Sequence, residues 1–184
     1  GLAMKGGPYT IENCAVTLHV NATDGGTVGG LSGLNYGVNT VKNCTVDFSV
    51  SGNSEYAGGF FGSVNGTANA IDSCSDIKIE NGEISGGFVG RVSGGNLNAT
   101  NCFAQVDIEN AREYVGGLLG EGSYLLSRCY VFGELKSVHN NAGRIGGLVG
   151  YGSGTIGQCW TNVEITGGDL AGGLGGMISG TIYG

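Results

Sequence analysis

Apolar and polar residues alternate after most of the cysteines in this chain. Apolar side chains stand four and six positions beyond a cysteine at Leu18 and Val20, Phe48 and Val50, Val106 and Ile108, and Val163 and Ile165. This period of two is the pattern of a half-buried β-strand, and no unit offers the roughly ten residues of 3.6-residue periodicity that a helix needs. Ile77 and Ile79 come one position early, as though a residue had been deleted, and the fifth unit keeps only Leu135. The pattern predicts an all-β fold.

Two markers repeat along the chain with a shared period of about 29 residues. Gly-Gly pairs begin at Gly29, Gly58, Gly86, Gly116, Gly146 and Gly172, and the cysteines are Cys14, Cys44, Cys74, Cys102, Cys129 and Cys159. A propeller blade needs roughly 40 residues, and the leucine-rich repeat pattern is absent. The period fits a β-solenoid of about six coils with three short strands each, in which equivalent side chains stack on one another. Glycine would permit tight corners and close backbone approach there.

The segment that begins at the second glycine of each pair resembles the GLUG motif, which is glycine, leucine, a hydrophobic residue and glycine. The copies are Gly30-Leu31-Ser32-Gly33, Gly59-Phe60-Phe61-Gly62, Gly87-Phe88-Val89-Gly90, Gly117-Leu118-Leu119-Gly120, Gly147-Leu148-Val149-Gly150 and Gly173-Leu174-Gly175-Gly176. Phe60 and Phe88 replace the leucine, and Ser32 and Gly175 replace the hydrophobic residue. The resemblance covers nearly the whole chain. It implies a right-handed parallel β-helix of the kind found in bacterial surface adhesins and in non-catalytic regions of immunoglobulin A peptidases, with no catalytic residues of its own.

Charge and composition exclude several classes of function. Charged residues make up 12% of the chain, and 8 basic against 15 acidic side chains give a net charge of −7, which disfavours nucleic acid and anionic membrane as partners. The chain has no stretch of 18 apolar residues, so we expect no membrane insertion, and its first 25 residues lack the pattern of a signal peptide. The two histidines, His19 and His139, form no zinc-protease motif, so protease activity would have to lie outside this segment.

These observations predict that residues 1–184 are a single β-solenoid domain, cut from a longer repeat protein of the cell surface or extracellular space. The expected function is that of a non-catalytic structural or adhesive module that binds host glycan or protein and adjoins flanking domains of the parent chain. The alternative is an accessory domain of a secreted peptidase resembling the immunoglobulin A peptidases. We expect no enzymatic activity, cofactor or metal. Gly1-Leu2 lies within a motif copy and neither end resembles a cap, which predicts end-to-end association.

The six cysteines are predicted to form an inward-facing column, because each occupies the same position of its coil. Buried free cysteine behaves as a small hydrophobic residue. Disulfides between neighbouring coils are the alternative, although parallel Cβ vectors make the required torsion awkward. A zinc site is disfavoured further, because stacked side chains do not converge tetrahedrally. The asparagines that precede several cysteines are predicted to bond turn backbone.

The positions one, three and five beyond each cysteine are predicted to point outward on one face. In the last three full coils this face stacks three aromatic residues beside three carboxylates, namely Phe103, Tyr130 and Trp160, and Asp107, Glu134 and Glu164. Such a surface would offer ring faces and hydrogen-bond acceptors to a sugar. The three stacked like charges are mutually unfavourable, and a bound cation could relieve them. No lysine or arginine is expected on this face of those coils, which argues against an enzyme that uses a basic residue there. The alternatives are that the aromatic rings simply pack on the sheet surface or that another domain covers them.

Overall fold

The structure is a computed structural model, which describes residues 8–137 and 143–184, without the side chain of Asp24. The Gly1-Leu2 motif and His139 lie outside the described residues. Within the described ranges the chain forms strands and turns but no helix, and hence no helical segment that could cross a membrane. Neighbouring strands are parallel throughout, and equivalent residues lie about 29 positions apart in the chain. The predicted β-solenoid of about six coils is therefore confirmed.

The strands stack into three parallel ladders that form the three faces of the solenoid. Face 1 consists of β1 (Thr10–Glu12), β3 (Ser32–Lys42), β5 (Phe61–Ile71), β8 (Val89–Thr100), β11 (Leu119–Ser127), β14 (Val149–Gly157) and β17 (Gly175–Tyr183). Face 2 consists of the first parts of β2 (Ala15–Gly29) and β4 (Thr45–Gly58), followed by β6 (Cys74–Glu80), β9 (Phe103–Ala111), β12 (Tyr130–Ser137) and β15 (Trp160–Thr166). Face 3 consists of the later parts of β2 and β4, followed by β7 (Gly82–Gly86), β10 (Tyr114–Gly116), β13 (Arg144–Gly146) and β16 (Leu170–Gly172).

The interior is one hydrophobic core that runs through the stack of coils. The large apolar residue of each motif lies in it, and those of the inner coils are fully buried: Leu31, Phe60, Phe88, Leu118 and Leu148. The rings of Phe60 and Phe88 stack with centroids 4.4 Å apart. In the outermost coils the core-facing residues that follow the cysteine, such as Leu18 and Ile165, are only partly buried. Each coil thus depends on both neighbours to cover its apolar side chains.

The Gly-Gly pairs lie at corners where adjacent coils come into close contact. A Cβ atom on the second glycine would meet the carbonyl oxygen of the equivalent glycine in the next coil, at 1.9 Å for Gly87 and 2.2 Å for Gly117. A Cβ on the first glycine would meet the carbonyl oxygen three residues later, at 2.0 Å for Gly116. None of these three glycines has a positive φ. Close approach between backbones, rather than conformational freedom, therefore requires glycine here.

In every coil a residue in the left-handed backbone conformation turns the chain from face 1 to face 2. These residues are Asn13, Asn43, Asp72, Asn101, Arg128 and Gln158, with φ between 48° and 55°. Asparagine and aspartate adopt this conformation more readily than most residues. The asparagine side chains were predicted to bond turn backbone, but the hydrogen bonds they form go to other side chains. Asn43 Nδ2 donates to Asn13 Oδ1 at 2.6 Å, and Asn101 Nδ2 donates to Asp72 Oδ1 at 3.0 Å. Stacking brings these polar side chains together along the solenoid axis.

The cysteine column contains five of the six predicted members, and Cys74 is not among them. Cys14, Cys44, Cys102, Cys129 and Cys159 occupy the inward position after the left-handed residue, and Ser73 takes that position in the third coil. Cys74 pairs in register with Thr45 and Phe103 on the outward side, and its Sγ lies 3.3 Å from Thr45 Oγ1. The sequence prediction was wrong because the cysteine itself, rather than the residues after it, is displaced by one position. The same shift places Ala70 in the core, in register with the buried Val41 of the coil before.

Each member of the column closes the turn that precedes it. The Sγ atoms donate to the carbonyl oxygen two residues earlier at 3.2–3.3 Å, and Ser73 Oγ does the same to Ile71 at 2.7 Å. Neighbouring coils are also joined, because the Cys44 amide donates to Ser73 Oγ and the Cys129 amide to Cys159 Sγ. All six cysteines are free thiols. The column is therefore a hydrogen-bonded thiol ladder with one hydroxyl substitution.

Cys74 should react with a thiol-labelling reagent faster than Cys129, a buried member of the thiol ladder. Cys129 is buried, and its hydrogen bond with Cys102, together with that burial, raises the pKa of its thiol to about 12, whereas the Cys74 side chain is partly exposed. Since the thiolate is the reactive form, we expect iodoacetamide at pH 8 to modify Cys74 at least about 100-fold faster than Cys129 in the folded protein. Peptide mass spectrometry with an unfolded control would measure both rates. Equal protection of the two thiols would place Cys74 back in the ladder.

Candidate functional site

The predicted outward aromatic residues form a continuous stack on face 2. Phe103, Tyr130 and Trp160 begin three successive strands and lie in register. The rings of Phe103 and Tyr130 have centroids 5.1 Å apart with an interplanar angle of 12°, and those of Tyr130 and Trp160 are 4.5 Å and 4° apart. Phe132, which sequence reasoning left out of the site, adds a fourth ring 6.0 Å from Phe103. The β-ladder itself sets the separation of the rings, because neighbouring strands lie about 4.8 Å apart.

This stacking changes what the aromatic residues offer to a ligand. Both faces of the Tyr130 ring are covered, one by Phe103 and the other by Trp160. Trp160 lies on β15, the edge strand of face 2, and is 55% exposed. A sugar that stacks on an apolar ring face therefore finds the outer face of Trp160 and the ring edges, rather than the predicted platform of three ring faces. The rings pack against one another, as aromatic side chains on a sheet surface commonly do.

The three predicted carboxylates also lie in register, but lysines accompany them. Glu134 pairs with Asp107 on one side and Glu164 on the other. Lys78 Nζ lies 3.5 Å from Asp107 Oδ2, and Lys136 forms ion pairs with Glu134 and, at 3.7 Å, with Glu109. The expectation that no basic residue lies on this face of these three coils was wrong, because Lys136 stands two positions beyond Glu134. Lys78 stacks on Asp107 from the coil before.

These ion pairs reduce the need for a bound cation. The hydrogen bond from its ammonium group to Glu134 raises the pKa of Lys136, which keeps the lysine charged beside the acids. Such exposed pairs contribute little to stability, but they balance charge locally. In the part of the chain that the structure describes, no group of three His, Cys, Asp or Glu side chains is arranged to hold a metal ion. Asp107 and Glu134, two of the three carboxylates in the column, are thus paired with lysines.

In the coils before this column two carboxylates face each other, and no described residue forms an ion pair with either of them. Asp76 and Asp47 are in register on face 2, and partial burial together with the charge of Asp47 raises the pKa of Asp76. A carboxyl group whose pKa rises on folding is protonated in both states at low pH, and it opposes folding once it ionises. We expect Asp76→Asn to raise the guanidinium unfolding midpoint at pH 7 and to leave it unchanged near pH 3. A lower midpoint at pH 7 would contradict this assignment, and Asp107→Asn, which removes an ion pair, is the control.

A shallow cavity of about 270 Å³ opens on the same face, nearer the first coils. His19 and Ser49 lie in register there, and His19 Nδ1 is hydrogen-bonded to Ser49 Oγ. Lys78 and Glu80 complete its charged lining. Its lining residues belong to three adjacent strands of one sheet, so their side chains stand side by side rather than converging on a common point.

A larger groove on face 1, of about 550 Å³, was missed by sequence reasoning. Three adjacent columns of residues form most of it, and Val92, Gly94 and Gly95 of β8 complete the lining. One wall is Glu121, Tyr151 and Met177, the floor is Gly122, Gly152 and Ile178, and the other wall is Ser123, Ser153 and Ser179. The floor carries no side chain at Gly122 and Gly152, and glycine is required at Gly152 because a Cβ there would meet the carbonyl oxygen of Gly122 at 1.8 Å. The signal was present in the sequence, since serine recurs six positions after the second glycine of the pair in these three coils.

Side chains that do not line the groove hold its first wall in place. Arg91 Nε lies 3.1 Å from Glu121 Oε2, and its guanidinium also donates to the Tyr56 hydroxyl at 2.8 Å. The Arg144 guanidinium carbon lies over the Tyr151 ring, 4.7 Å from its centroid, and the centroids of the Tyr114 and Tyr151 rings are 5.2 Å apart. Both supporting clusters are at the corner between face 3 and face 1.

Comparison with protein-family models, with curated proteins and with solved structures finds no match to the chain. The resemblance to GLUG repeats therefore stays a prediction that rests on the six motif copies.

Proposed function

We propose that this chain is a non-catalytic structural and adhesive module of a bacterial cell-surface or secreted protein. The observation that carries the proposal is the in-register stacking of outward side chains on a continuously buried core. One set of strands thereby serves as a stiff spacer and also displays ordered columns of side chains. Flanking domains of the parent chain, and host glycan or protein, are its partners.

Stiffness follows from the way the coils are joined. Backbone hydrogen bonds and core contacts link every coil to the next on three faces, so bending the rod would break contacts on at least one face. A rod of this kind holds a binding surface at a fixed distance from its attachment point. The ion pairs of Lys78 with Asp107, and of Lys136 with Glu109 and Glu134, support a non-catalytic role, because these carboxylates already have partners of opposite charge. A general acid or base instead needs geometry that converges on a substrate.

Bead adhesion tests this proposal directly. Beads coated with the 184-residue chain are expected to bind epithelial cell monolayers saturably and to be displaced by soluble chain. Treating the monolayer with periodate or with protease would separate glycan from protein partners. Beads coated with serum albumin are the control. Retention no greater than that of the albumin beads would overturn the adhesive part of the proposal, and turnover of a glycan or peptide substrate by the chain would overturn the non-catalytic part.

A further inference from the structure

We propose that the groove on face 1, rather than the aromatic stack on face 2, is the binding site, and that its ligand is a neutral oligosaccharide. This inference rests on the proposed adhesive function and specifies its site and ligand class. The groove volume of about 550 Å³ lies within the usual range for ligand sites, roughly 300–1,000 Å³. The groove crosses β8, β11, β14 and β17, so it runs along the solenoid axis for on the order of 15 Å.

Tyr151 gives the groove an aromatic side chain that is ordered before any ligand arrives. Arg144 and Tyr114 contact its ring, and neither of them lines the groove. On face 2 the aromatic side chains instead contact one another, since Phe103, Tyr130 and Trp160 form one stack of rings. An aromatic residue fixed by its neighbours loses little conformational entropy when a sugar packs against it. The adjacent Met177 thioether extends the apolar wall.

Glu121 makes the site suitable for a neutral ligand. Its carboxylate is balanced by Arg91, which stands outside the groove, so the wall carries a hydrogen-bond acceptor with little net charge. A strongly anionic ligand would meet the carboxylate first, and a cationic ligand would compete with an ion pair already formed. Sugar hydroxyl groups can donate to the carboxylate oxygens without disturbing that pair.

The opposite wall supplies hydroxyl groups at a regular spacing. Ser123, Ser153 and Ser179 lie in register one strand apart, and within the described residues no side-chain hydrogen bond occupies their Oγ atoms. Each hydroxyl can donate and accept. Strand addition by an extended peptide cannot use β11 or β14, because each is paired on both sides, and among the described residues only the outer edge of β17, at one end of the groove, is unpaired. A chain with apolar ring faces and peripheral hydroxyl groups matches both walls.

Titration of the ¹⁵N-labelled chain with cellohexaose, maltohexaose and N-acetylchitohexaose tests the inference. We expect at least one hexasaccharide to shift amide resonances within Glu121–Ser123, Tyr151–Ser153 and Met177–Ser179. Tyr151→Ala should weaken that binding by about tenfold or more, because a central aromatic contact is lost. Trp160→Ala is the matched control on face 2 and should leave the affinity unchanged. The spectrum of each variant reports separately whether it is folded.

Two results would overturn the inference. Shifts centred on Phe103, Tyr130 and Trp160 that disappear in Trp160→Ala would move the site to face 2. No shift with any of the three hexasaccharides would reject the groove as a site for neutral glycan. In either case bead adhesion decides the proposed function independently, because it requires no particular face or ligand class.

Discussion

Gly117→Ala should lower the free energy of unfolding by about 3 kcal/mol, near the upper end of the range for overpacked sites. The new Cβ would lie 2.2 Å from the carbonyl oxygen of Gly147 and 2.5 Å from Val131 Cγ1. Neither contact involves the flexible end of a side chain, so the adjoining coils would have to separate locally. Guanidinium unfolding followed by circular dichroism would measure the change.

Gly173→Ala is the matched control for this prediction. Gly173 occupies the same motif position, but a Cβ there would meet no atom within 4 Å, because no described coil stacks on it. We expect its effect to be within about 0.5 kcal/mol, as for a surface substitution. Similar losses in both variants would mean that the Gly-Gly pair acts through local backbone conformation, which would contradict the explanation given for the motif.

Phe88→Ala should destabilise the protein by about 3–5 kcal/mol, the usual cost of removing a buried aromatic side chain. The Phe88 ring is fully buried and stacks on Phe60 at the centre of the core. A cavity at that point would weaken the contact between two coils on which the rest of the stack depends. The unfolding midpoint in guanidinium gives the measurement.

Phe132→Ala provides the comparison for this second variant. Phe132 points outward on face 2 and is only partly buried, although its ring stacks near that of Phe103. We expect a loss of about 1 kcal/mol, the typical magnitude of a surface aromatic pair. If Phe132→Ala were as damaging as Phe88→Ala, the assignment of inward and outward positions would be wrong.

The repeat period was sufficient to predict the architecture, because a solenoid imposes the same steric demands on every coil. The Gly-Gly pairs and the apolar alternation recur for that reason, and residues such as Leu118 and Phe88 lie where the pattern placed them. The third coil shows the limit of this reasoning. Sequence spacing treated Cys74 as the fixed marker, whereas the left-handed turn at Asp72 sets the register.

The candidate sites were harder to predict because they depend on neighbours from different coils and faces. The sequence located the aromatic column, but the parallel orientation of the Tyr130 ring and its partners depends on strand separation and rotamers. The groove on face 1 arises where Gly122 and Gly152 leave no side chain in the column between its two walls. Its support by Arg91 and Arg144 crosses a corner of the solenoid, which a linear pattern does not reveal.

The stacking of equivalent residues from successive coils can be tested most directly by nuclear Overhauser contacts between aromatic rings in solution. The register of β9, β12 and β15 predicts cross-peaks from the Tyr130 ring to both Phe103 and Trp160, which are 27 and 30 residues away in the chain. Finding both contacts in the folded protein would support the stack. Their absence, or contacts from Tyr130 to residues at other offsets in those coils, would contradict it.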